Sequence, residues 1–316
     1  LPDTVQEQVD DAIDLGMDGI IVYVDQAGQE PEFYTAGWKD KVLEITADPE
    51  AYFLIASINK LYTATAITRL VGEDRMSLDD TLADFFPELV GKIEYVDEIT
   101  VRMMVQHRSG IPNFTDMPGW DWFAPFPADQ DPLELVFNVP ADFKPDSRYS
   151  YSNTNYMLLE RIIDKVVGYS YQEFISEDIL APIGATNTFF SKDEVDSEDV
   201  VSGYWYGYDD DLRHNGGGMV ATAEDVGIFV KALNDGTLLT EEEQVIYSSI
   251  YEYGHTGLIP GYHSIARYHE DLDAVVVQFT STTGGDTWGL ANVIGGKTTS
   301  FSLTIYNRII RILGKQ

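Results

Sequence analysis

Residues 51–60 read Ala-Tyr-Phe-Leu-Ile-Ala-Ser-Ile-Asn-Lys, an apolar run followed by a polar turn. Within it, Ser57 and Lys60 form an S-x-x-K pattern at the start of a predicted helix. Positions i and i+3 share a helical face, so the Lys60 amine can reach the Ser57 hydroxyl and take its proton. The helix N-terminus also favours negative charge developing there. Apolar residues continue this helix at helical spacing, at Leu61, Ala64, Ile67 and Val71.

Two further short motifs follow in the chain. Tyr151-Ser152-Asn153 gives Y-x-N, and His255-Thr256-Gly257 gives H-T-G just before an expected strand. An S-x-x-K pattern can occur by chance in a chain with 17 serines and 10 lysines. The interpretation therefore depends on the order of all three motifs and not on the first alone.

The three motifs resemble the serine penicillin-recognising family, and most closely its class C branch. That branch includes class C β-lactamases, DD-carboxypeptidases, D-aminopeptidases and related esterases. The resemblance covers nearly the whole chain. It extends to three further stretches, residues 100–112 (with His107-Arg108-Ser109-Gly110-Ile111-Pro112), residues 182–185 and residues 217–225.

The resemblance implies an α+β fold with two lobes in one catalytic domain over residues 1–316. Residues 1–56 and 237–316 would form an antiparallel sheet from both chain ends, flanked by helices. Residues 57–236 would form a mostly helical lobe. The residue pattern agrees with this division, because β-rich runs lie near both ends. They are residues 19–24 and 32–37, which form a predicted hairpin, and residues 262–268 and 274–280.

Helices are predicted from capping and periodicity. Thr4 with Glu7 forms a capping box that opens a first amphipathic helix. Further helices are predicted for residues 156–167 and 171–180. A loop is predicted for residues 117–131, which precede them. A closing helix is indicated by Ile305, Ile309 and Leu313 on one face.

The resemblance assigns the chemistry to three side chains. Ser57 matches the nucleophile, Lys60 its activating partner, and Tyr151 the residue that passes a proton to the leaving group. The oxyanion hole would be formed by the backbone N–H groups of Ser57 and Leu258. Each such donor is worth roughly 3 kcal/mol of transition-state stabilisation.

Three other residues are implied to bind substrate. Asn153 matches the side chain that binds the acyl amide. His255 stands where the family has the Lys of K-T-G, and Thr256 would line the subsite for a carboxylate or leaving group. H-T-G is closer to DD-peptidases, D-amino-acid peptidases and some esterases than to β-lactamases. We therefore expect a serine hydrolase for an ester or D-amino-acid peptide bond. The alternatives are a β-lactamase and a non-catalytic penicillin-recognising binder or sensor.

Several other patterns in the sequence do not match a known motif in full. Lys297-Thr298-Thr299 lacks the Gly of K-T-G, and Ala291 breaks the phosphate-loop pattern before Lys297. Neither G-x-S-x-G nor the E-x-x-L-N of class A β-lactamases occurs. His107 is interpreted as a structural loop residue. The family usually has Pro-Gly before the tyrosine motif, whereas this chain has Pro145-Asp146, so a different loop shape is expected.

Composition restricts the class of partner. The net charge of −33 and a pI near 4.2 argue against nucleic acid and anionic lipid, since both need basic surfaces. With no cysteine and no metal-ligand spacing among His214, His263 and His269, no metal and no cofactor are expected. No apolar run is long enough to span a membrane. A small-molecule or peptide substrate is expected, while the oligomeric state stays open.

The location is inferred from the chain start and the family. The sequence begins at Leu1 with no Met and no signal-like segment, which we interpret as a processed or trimmed chain. The resembling family works mostly outside the cytoplasm. We therefore expect a periplasmic or secreted protein.

Overall fold

A computed structural model describes residues 2–214, 217–285 and 296–315. The described residues contain nine α-helices: α1 (Val5–Asp14), α2 (Asn59–Gly72), α3 (Leu82–Phe85), α4 (Val101–Val105), α5 (Asn153–Val167), α6 (Tyr171–Phe174), α7 (Ala223–Asn234), α8 (Glu241–Ser248) and α9 (Gly296–Leu313). Helix α6 continues into a π-helical turn, Ile175–Leu180.

The described strands number eleven: β1 (Gly19–Gln26), β2 (Glu32–Asp40), β3 (Ile45–Thr46), β4 (Phe53–Leu54), β5 (Thr188–Phe189), β6 (Tyr204–Trp205), β7 (Val220–Ala221), β8 (His255–Ile259), β9 (Tyr262–His269), β10 (Ala274–Thr280) and β11 (Thr282–Thr283). Six of them form one antiparallel sheet in the order β3-β2-β1-β10-β9-β8. Both chain ends contribute strands, as the sequence predicts.

The chain separates into two units. The sheet unit comprises Leu1–Asn59, Ile183–Asp235 and Tyr253–Gln316. The helical unit comprises Lys60–Pro182 and Gly236–Glu252.

The two central strands, β1 and β10, are mostly apolar and are buried along almost their whole length. Strands β1 and β10 pair in register from Ile20 opposite Thr280 to Gln26 opposite Ala274. On one face, helices α1 and α9 share a single apolar core with β1, which includes Val9, Val22 and Ile309. This arrangement confirms the expected placement of both terminal helices on the sheet.

Helix α7 packs on β1, β9 and β10. It approaches β1 closely at Gly227, where an added Cβ would lie 2.3 Å from the Tyr23 ring. Only glycine allows this distance, so Gly227 fixes how near the helix lies to the strand. Two small sheets complete the unit, β4-β7-β5 and β11-β6.

The helical unit is built around α2 and α5. Residues 60–68 of α2 are all buried, which is typical of a helix enclosed on every side. Helix α5 buries its apolar face through Leu158, Leu159, Ile162 and Ile163, and ends at Gly168 with φ of 83°. No strand of the sheets above belongs to the described part of this unit, in agreement with the predicted helical lobe.

The residues are divided differently from the predicted lobe boundaries. Residues 183–235 belong to the sheet unit because β5 and β7 pair with β4 and α7 packs on the sheet. Residues 236–252 belong to the helical unit, where Glu243 of α8 pairs with Arg69 of α2 at 2.8 Å. Among the described helices, none is long and apolar enough to cross a membrane.

Candidate active site

Ser57 lies in a single 3-10 turn, Ala56–Ile58, that leads directly into α2. Ala56 has φ of 49°, a left-handed conformation that costs an L-residue about 1–2 kcal/mol. The turn is held from the sheet, because Ser264 Oγ donates to the carbonyl oxygen of Ile55 at 2.9 Å. The Ser57 side chain is partly exposed. Ser57 is therefore a partly exposed residue on a backbone that the sheet holds in place.

Strand β8 passes against this turn through Gly257. An added Cβ on Gly257 would lie 2.2 Å from the Ile55 carbonyl oxygen and 2.4 Å from Ser264 Oγ. Glycine is thus required for the two backbones to come this close. The neighbouring Leu258, whose N–H is a predicted oxyanion donor, lies beside the Ser57 turn for the same reason. The sequence placed H-T-G just before a strand, whereas these residues lie within β8, the edge strand of the sheet.

His255 and Thr256 are partly exposed at the start of β8. His255 Nδ1 makes a short contact with the Thr256 carbonyl oxygen. A carbonyl oxygen can only accept, so Nδ1 is the protonated nitrogen in this contact. The His255 ring therefore contacts the backbone of its own strand.

Lys60 is the second residue of α2 and its side chain is only 3% exposed. Its Nζ donates to Asn153 Oδ1 at 2.9 Å. The same nitrogen lies 5.0 Å from the centroid of the Tyr151 ring and 5.5 Å from that of Tyr156. These contacts compensate for the burial of an amine, which would be unfavourable without partners. The helical unit thus brings Lys60, Tyr151 and Asn153 together.

Asn153 is fixed on three sides at the first turn of α5. Its backbone N–H donates to Asn113 Oδ1 at 3.0 Å, and its Nδ2 donates to Thr115 Oγ1 at 3.3 Å. Because the side-chain nitrogen is used in this way, the Oδ1 atom faces Lys60. The orientation of the amide is therefore determined by the segment 113–115.

Tyr151 rests on His107, with ring centroids 4.4 Å apart. His107 is buried and has φ of 55°. Its Nδ1 lies 3.2 Å from the N–H of Ser152 and 3.3 Å from Nδ2 of Asn155. Both of these groups donate, so Nδ1 must accept and the imidazole is neutral in this arrangement. The prediction that His107 is a structural loop residue does not include its contact with Tyr151, which no local sequence pattern encodes.

The loop after His107 holds the Y-x-N segment by further bonds. Ser109 Oγ donates to Asn155 Oδ1 at 2.6 Å, and the N–H of Ser150 donates to the His107 carbonyl oxygen at 2.9 Å. Gly110 has φ of 80°, and an added Cβ would lie 2.2 Å from the Phe143 carbonyl oxygen. Residues 107–110 therefore hold the loop that carries Tyr151 in place by hydrogen bonds and a close backbone contact.

Asp146 occupies the position where the family usually has glycine. It adopts φ of 62°, a conformation that glycine takes easily and that Asp tolerates better than most residues. Arg108 Nε donates to Asp146 Oδ1 at 2.6 Å, and the N–H of Asp146 donates to the Arg108 carbonyl oxygen at 2.8 Å. The Arg108 contacts thus support a left-handed turn at this position without glycine.

Glu160 lies on α5 near Lys60, and no sequence pattern indicated it. Thr63 Oγ1, one turn after Lys60 on α2, donates to Glu160 Oε1 at 3.4 Å. Burial raises the pKa of Glu160 to about 7, while the Lys60 charge and hydrogen bonds with Thr63 and Tyr171 act in the opposite direction. A carboxyl group that titrates near neutrality therefore lies beside the predicted catalytic amine.

The predicted site residues fall into two groups. Lys60, Tyr151 and Asn153 are together in the helical unit, and Ser57 lies with the β8 residues in the sheet unit: His255, Thr256 and Leu258. Within the described ranges, no group of three or more His, Cys, Asp or Glu residues has the geometry of a metal site. Lys297-Thr298-Thr299, which lacks the Gly of K-T-G, lies in the first turn of α9.

The family model named Beta-lactamase matches residues 3–249 of this chain. The matched part contains S-x-x-K and Y-x-N and ends before β8. Protein flp of Staphylococcus aureus is 30% identical over 172 residues, which cover 53% of this chain and 34% of that protein. The chain therefore aligns with about a third of the length of this curated relative.

Two solved structures share the fold over almost the entire chain. D-amino acid amidase from Ochrobactrum anthropi superposes with a TM-score of 0.82 at 24% identity, covering 98% of this chain and 97% of that one. A penicillin-binding protein from Bacillus halodurans gives a TM-score of 0.78 at 20% identity, with 98% and 99% covered. The fold of these structures agrees with the family match. The chain belongs to the beta-lactamase family, a family of serine hydrolases.

Proposed function

We propose that this chain is a serine hydrolase that forms an acyl-enzyme on Ser57 from an ester or from a D-amino-acid peptide or amide bond. The observation that carries the proposal is the position of the Lys60 amine. It is held by Asn153 Oδ1 at 2.9 Å beside the Tyr151 ring, and Lys60 follows Ser57 by one helical turn. Such an amine is suited to receive the proton of a serine hydroxyl.

Acylation begins with a proton transfer. The neutral form of the Lys60 amine takes the proton of Ser57 Oγ as the oxygen attacks the carbonyl carbon of the substrate. The carbonyl oxygen becomes an oxyanion, which the N–H groups of Ser57 and Leu258 stabilise. Gly257 supports this role, because its lack of a side chain lets β8 run beside the nucleophile turn.

The leaving group departs with a proton. Tyr151 donates its phenolic proton to the leaving nitrogen or oxygen as the tetrahedral intermediate collapses, and it regains a proton from the Lys60 ammonium. Water then enters, gives a proton to the same pair and attacks the acyl carbon. The bond between that carbon and Ser57 Oγ breaks, the acid leaves, and the pair returns the proton to Ser57 Oγ. The chain lacks E-x-x-L-N, so the same Lys60–Tyr151 pair serves both half-reactions.

Substrate choice depends on the residues around this centre. Asn153 binds the acyl amide of the substrate, and Thr256 lines the subsite for the leaving group or carboxylate. His255 replaces the lysine of K-T-G, which favours a peptidase, amidase or esterase over a β-lactamase. The D-amino acid amidase and penicillin-binding protein that share the fold support this choice. We also propose that the enzyme works outside the cytoplasm on wall-derived or exogenous substrates.

One panel of substrates tests the activity. It contains a p-nitrophenyl ester, a D-amino-acid p-nitroanilide, a D-Ala-D-Ala peptide, a chromogenic cephalosporin and a fluorescent penicillin. We expect turnover of the ester or the D-amino-acid compounds, and none by the Ser57→Ala variant beyond the uncatalysed rate.

The remaining outcomes contradict the proposal in different ways. Fast turnover of the cephalosporin with little ester or peptide cleavage indicates a β-lactamase. A stable penicillin label with no turnover of any substrate indicates a binder or sensor. Equal rates for the wild-type protein and Ser57→Ala exclude an acyl-enzyme on Ser57.

A further inference from the structure

A group of aromatic residues begins at the segment that orients Asn153. Asn113 and Thr115 bind the backbone and side-chain nitrogens of Asn153. Phe114 lies between them, and its N–H donates to Thr154 Oγ1 at 3.0 Å on the first turn of α5. Phe114 is therefore fixed next to the residue that we propose binds the acyl amide.

From Phe114 the contacts continue through neighbouring rings. The ring of Trp120 meets Phe114 edge-on at 5.0 Å between centroids. Trp120 also meets Trp122 edge-on at 5.6 Å and stacks on Phe126 at 5.6 Å. We call residues 114–126 the aromatic loop. Four of its five rings form one continuous group, because Trp120 contacts Phe114, Trp122 and Phe126.

This group is only partly covered. The side chains of Trp120, Trp122 and Phe126 are half-buried, and Phe123 is 40% exposed. No helix or strand spans residues 117–131, so the rings are carried by a loop. Large aromatic side chains that remain partly exposed together are a common feature of surfaces that bind a ligand or partner. The loop adjoins Asn153, which favours a ligand of the same site.

The charge of the surrounding chain limits what the loop can bind. Residues 109–143 contain six Asp or Glu and no Lys or Arg. A negatively charged substituent would find no cationic partner among these residues. An uncharged ring can pack edge-on or stacked against tryptophan, and a nearby cationic group is attracted by the ring faces.

We propose that the aromatic loop is a subsite for an aromatic group on the acyl part of the substrate. The preferred substrates are then esters or amides whose acyl group carries an aromatic ring and no negative charge. The inference rests on the proposed function, because it takes Asn153 as the residue that binds the acyl side. Trp120 is its central specificity-determining residue, since it contacts Phe114, Trp122 and Phe126.

Two esters that differ only by a phenyl group test the subsite. They are p-nitrophenyl phenylacetate and p-nitrophenyl acetate, which share the same leaving group. We expect the wild-type protein to prefer the phenylacetate in kcat/KM by about tenfold, the upper range for an aromatic contact. Trp120→Ala should lower kcat/KM for the phenylacetate by about the same factor and change the acetate value less than about twofold. Trp120→Phe should retain most of the preference.

Two further variants keep the test interpretable. Tyr169→Ala removes another exposed aromatic ring of the helical unit. Tyr169 follows the C-terminal end of α5, whereas Asn153 begins the helix, so this variant should leave the preference for the phenylacetate unchanged. Trp122→Ala removes a ring at the edge of the group and should lower the preference in the same direction as Trp120→Ala. Trp122→Ala tests the subsite if Trp120→Ala does not fold.

The outcomes separate this inference from the proposed function. If neither ester is cleaved faster than by Ser57→Ala, the proposed function fails. If both esters are cleaved and neither Trp120→Ala nor Trp122→Ala changes their ratio, the subsite inference is overturned. The inference is also overturned if these variants change only self-association or binding to phosphatidylcholine vesicles, since the loop would then be an interface.

Discussion

The sheet unit and the helical unit position their site residues by different means. In the sheet unit, the positions of the site residues depend on the backbone. Gly257 of β8 has no room for a side chain, and Ala56 in the neighbouring turn is held in a left-handed conformation. Around Lys60 the placement depends on single polar atoms, such as Asn153 Oδ1 and His107 Nδ1. Apart from the nucleophile Ser57 itself, we therefore expect side-chain changes in the helical unit to affect the chemical step. Changes at His255 and Thr256 in the sheet unit should affect substrate binding.

The largest effect is expected from the proton-transfer pair of the helical unit. Lys60→Met and Tyr151→Phe should each lower kcat by about a thousandfold, within the range of general acid–base catalysis. Because the two groups act together, the double variant should lose little more than the worse single variant. Steady-state kinetics with the p-nitrophenyl ester measures kcat for the single and double variants. Near-normal activity of Tyr151→Phe would show that its assigned role is wrong.

A smaller loss of kcat is expected at His107, which supports Tyr151 without touching the reacting atoms. His107→Ala leaves the N–H of Ser152 without its acceptor, and an unsatisfied buried donor costs about 1–3 kcal/mol. We expect kcat to fall roughly ten- to a hundredfold with little change in KM. His107→Asn should recover much of the rate, since Asn tolerates positive φ and offers an acceptor near Nδ1.

The readout must separate positioning from stability. Kinetics should be measured well below the melting temperature of each variant. If His107→Ala melts earlier but keeps its kcat when folded, the residue supports the fold and not Tyr151.

In the sheet unit, His255 should affect KM by a few-fold and in a pH-dependent way. Free imidazole has a pKa of about 6.5, so a cationic His255 that pairs with a substrate carboxylate loses its charge as pH rises through neutrality. KM for a D-Ala-D-Ala peptide should then rise with pH, while KM for a neutral ester stays flat. His255→Lys should remove this dependence. Parallel profiles for both substrates would exclude the ionic role. Fixed, moderately high salt is needed because the chain carries a charge of −33.

A substitution of His263, which is not among the proposed catalytic residues, should have the smallest effect on activity but a measurable effect on stability. His263 in β9 is buried against Ser302 Oγ at 2.8 Å, and burial lowers its pKa to about 4. The unfolded chain binds this proton more readily, so stability is full above about pH 6.5 and falls as pH drops toward 4. The loss between pH 7 and pH 5 should be about 2 kcal/mol. His263→Asn should reduce this loss in urea unfolding.

Glu160 should act in the opposite direction in the helical unit. Its raised pKa, mainly due to burial, means that the folded protein holds this proton more readily than the unfolded chain. Its contribution to stability is therefore full below about pH 4.5 and is lost as pH rises through 7. Glu160→Gln removes this titration, so the loss of stability between pH 5 and pH 8 should be smaller in the variant than in the wild-type protein. The same pH trend in the variant and the wild-type protein would contradict the assignment.

Local features of the fold were predictable from sequence, while the grouping of distant segments was not. The capping box of Thr4 and Glu7 and the β1–β2 hairpin follow from neighbouring residues, and both are present. The assignment of residues 183–235 to the sheet unit depends on strand pairing with β4, which no local pattern encodes. The same limit applies to the site. Motif spacing indicated Lys60, Tyr151 and Asn153, but the contact between His107 and Tyr151 depends on the path of two loops.

The central claim is that Ser57 becomes covalently acylated. Intact-protein mass spectrometry after treatment with a fluorophosphonate or a penicillin, followed by peptide mapping, tests it most directly. We predict a single adduct on the peptide that contains Ser57, and none on the folded Ser57→Ala variant. An adduct on another residue, or equal labelling of Ser57→Ala, would contradict the account.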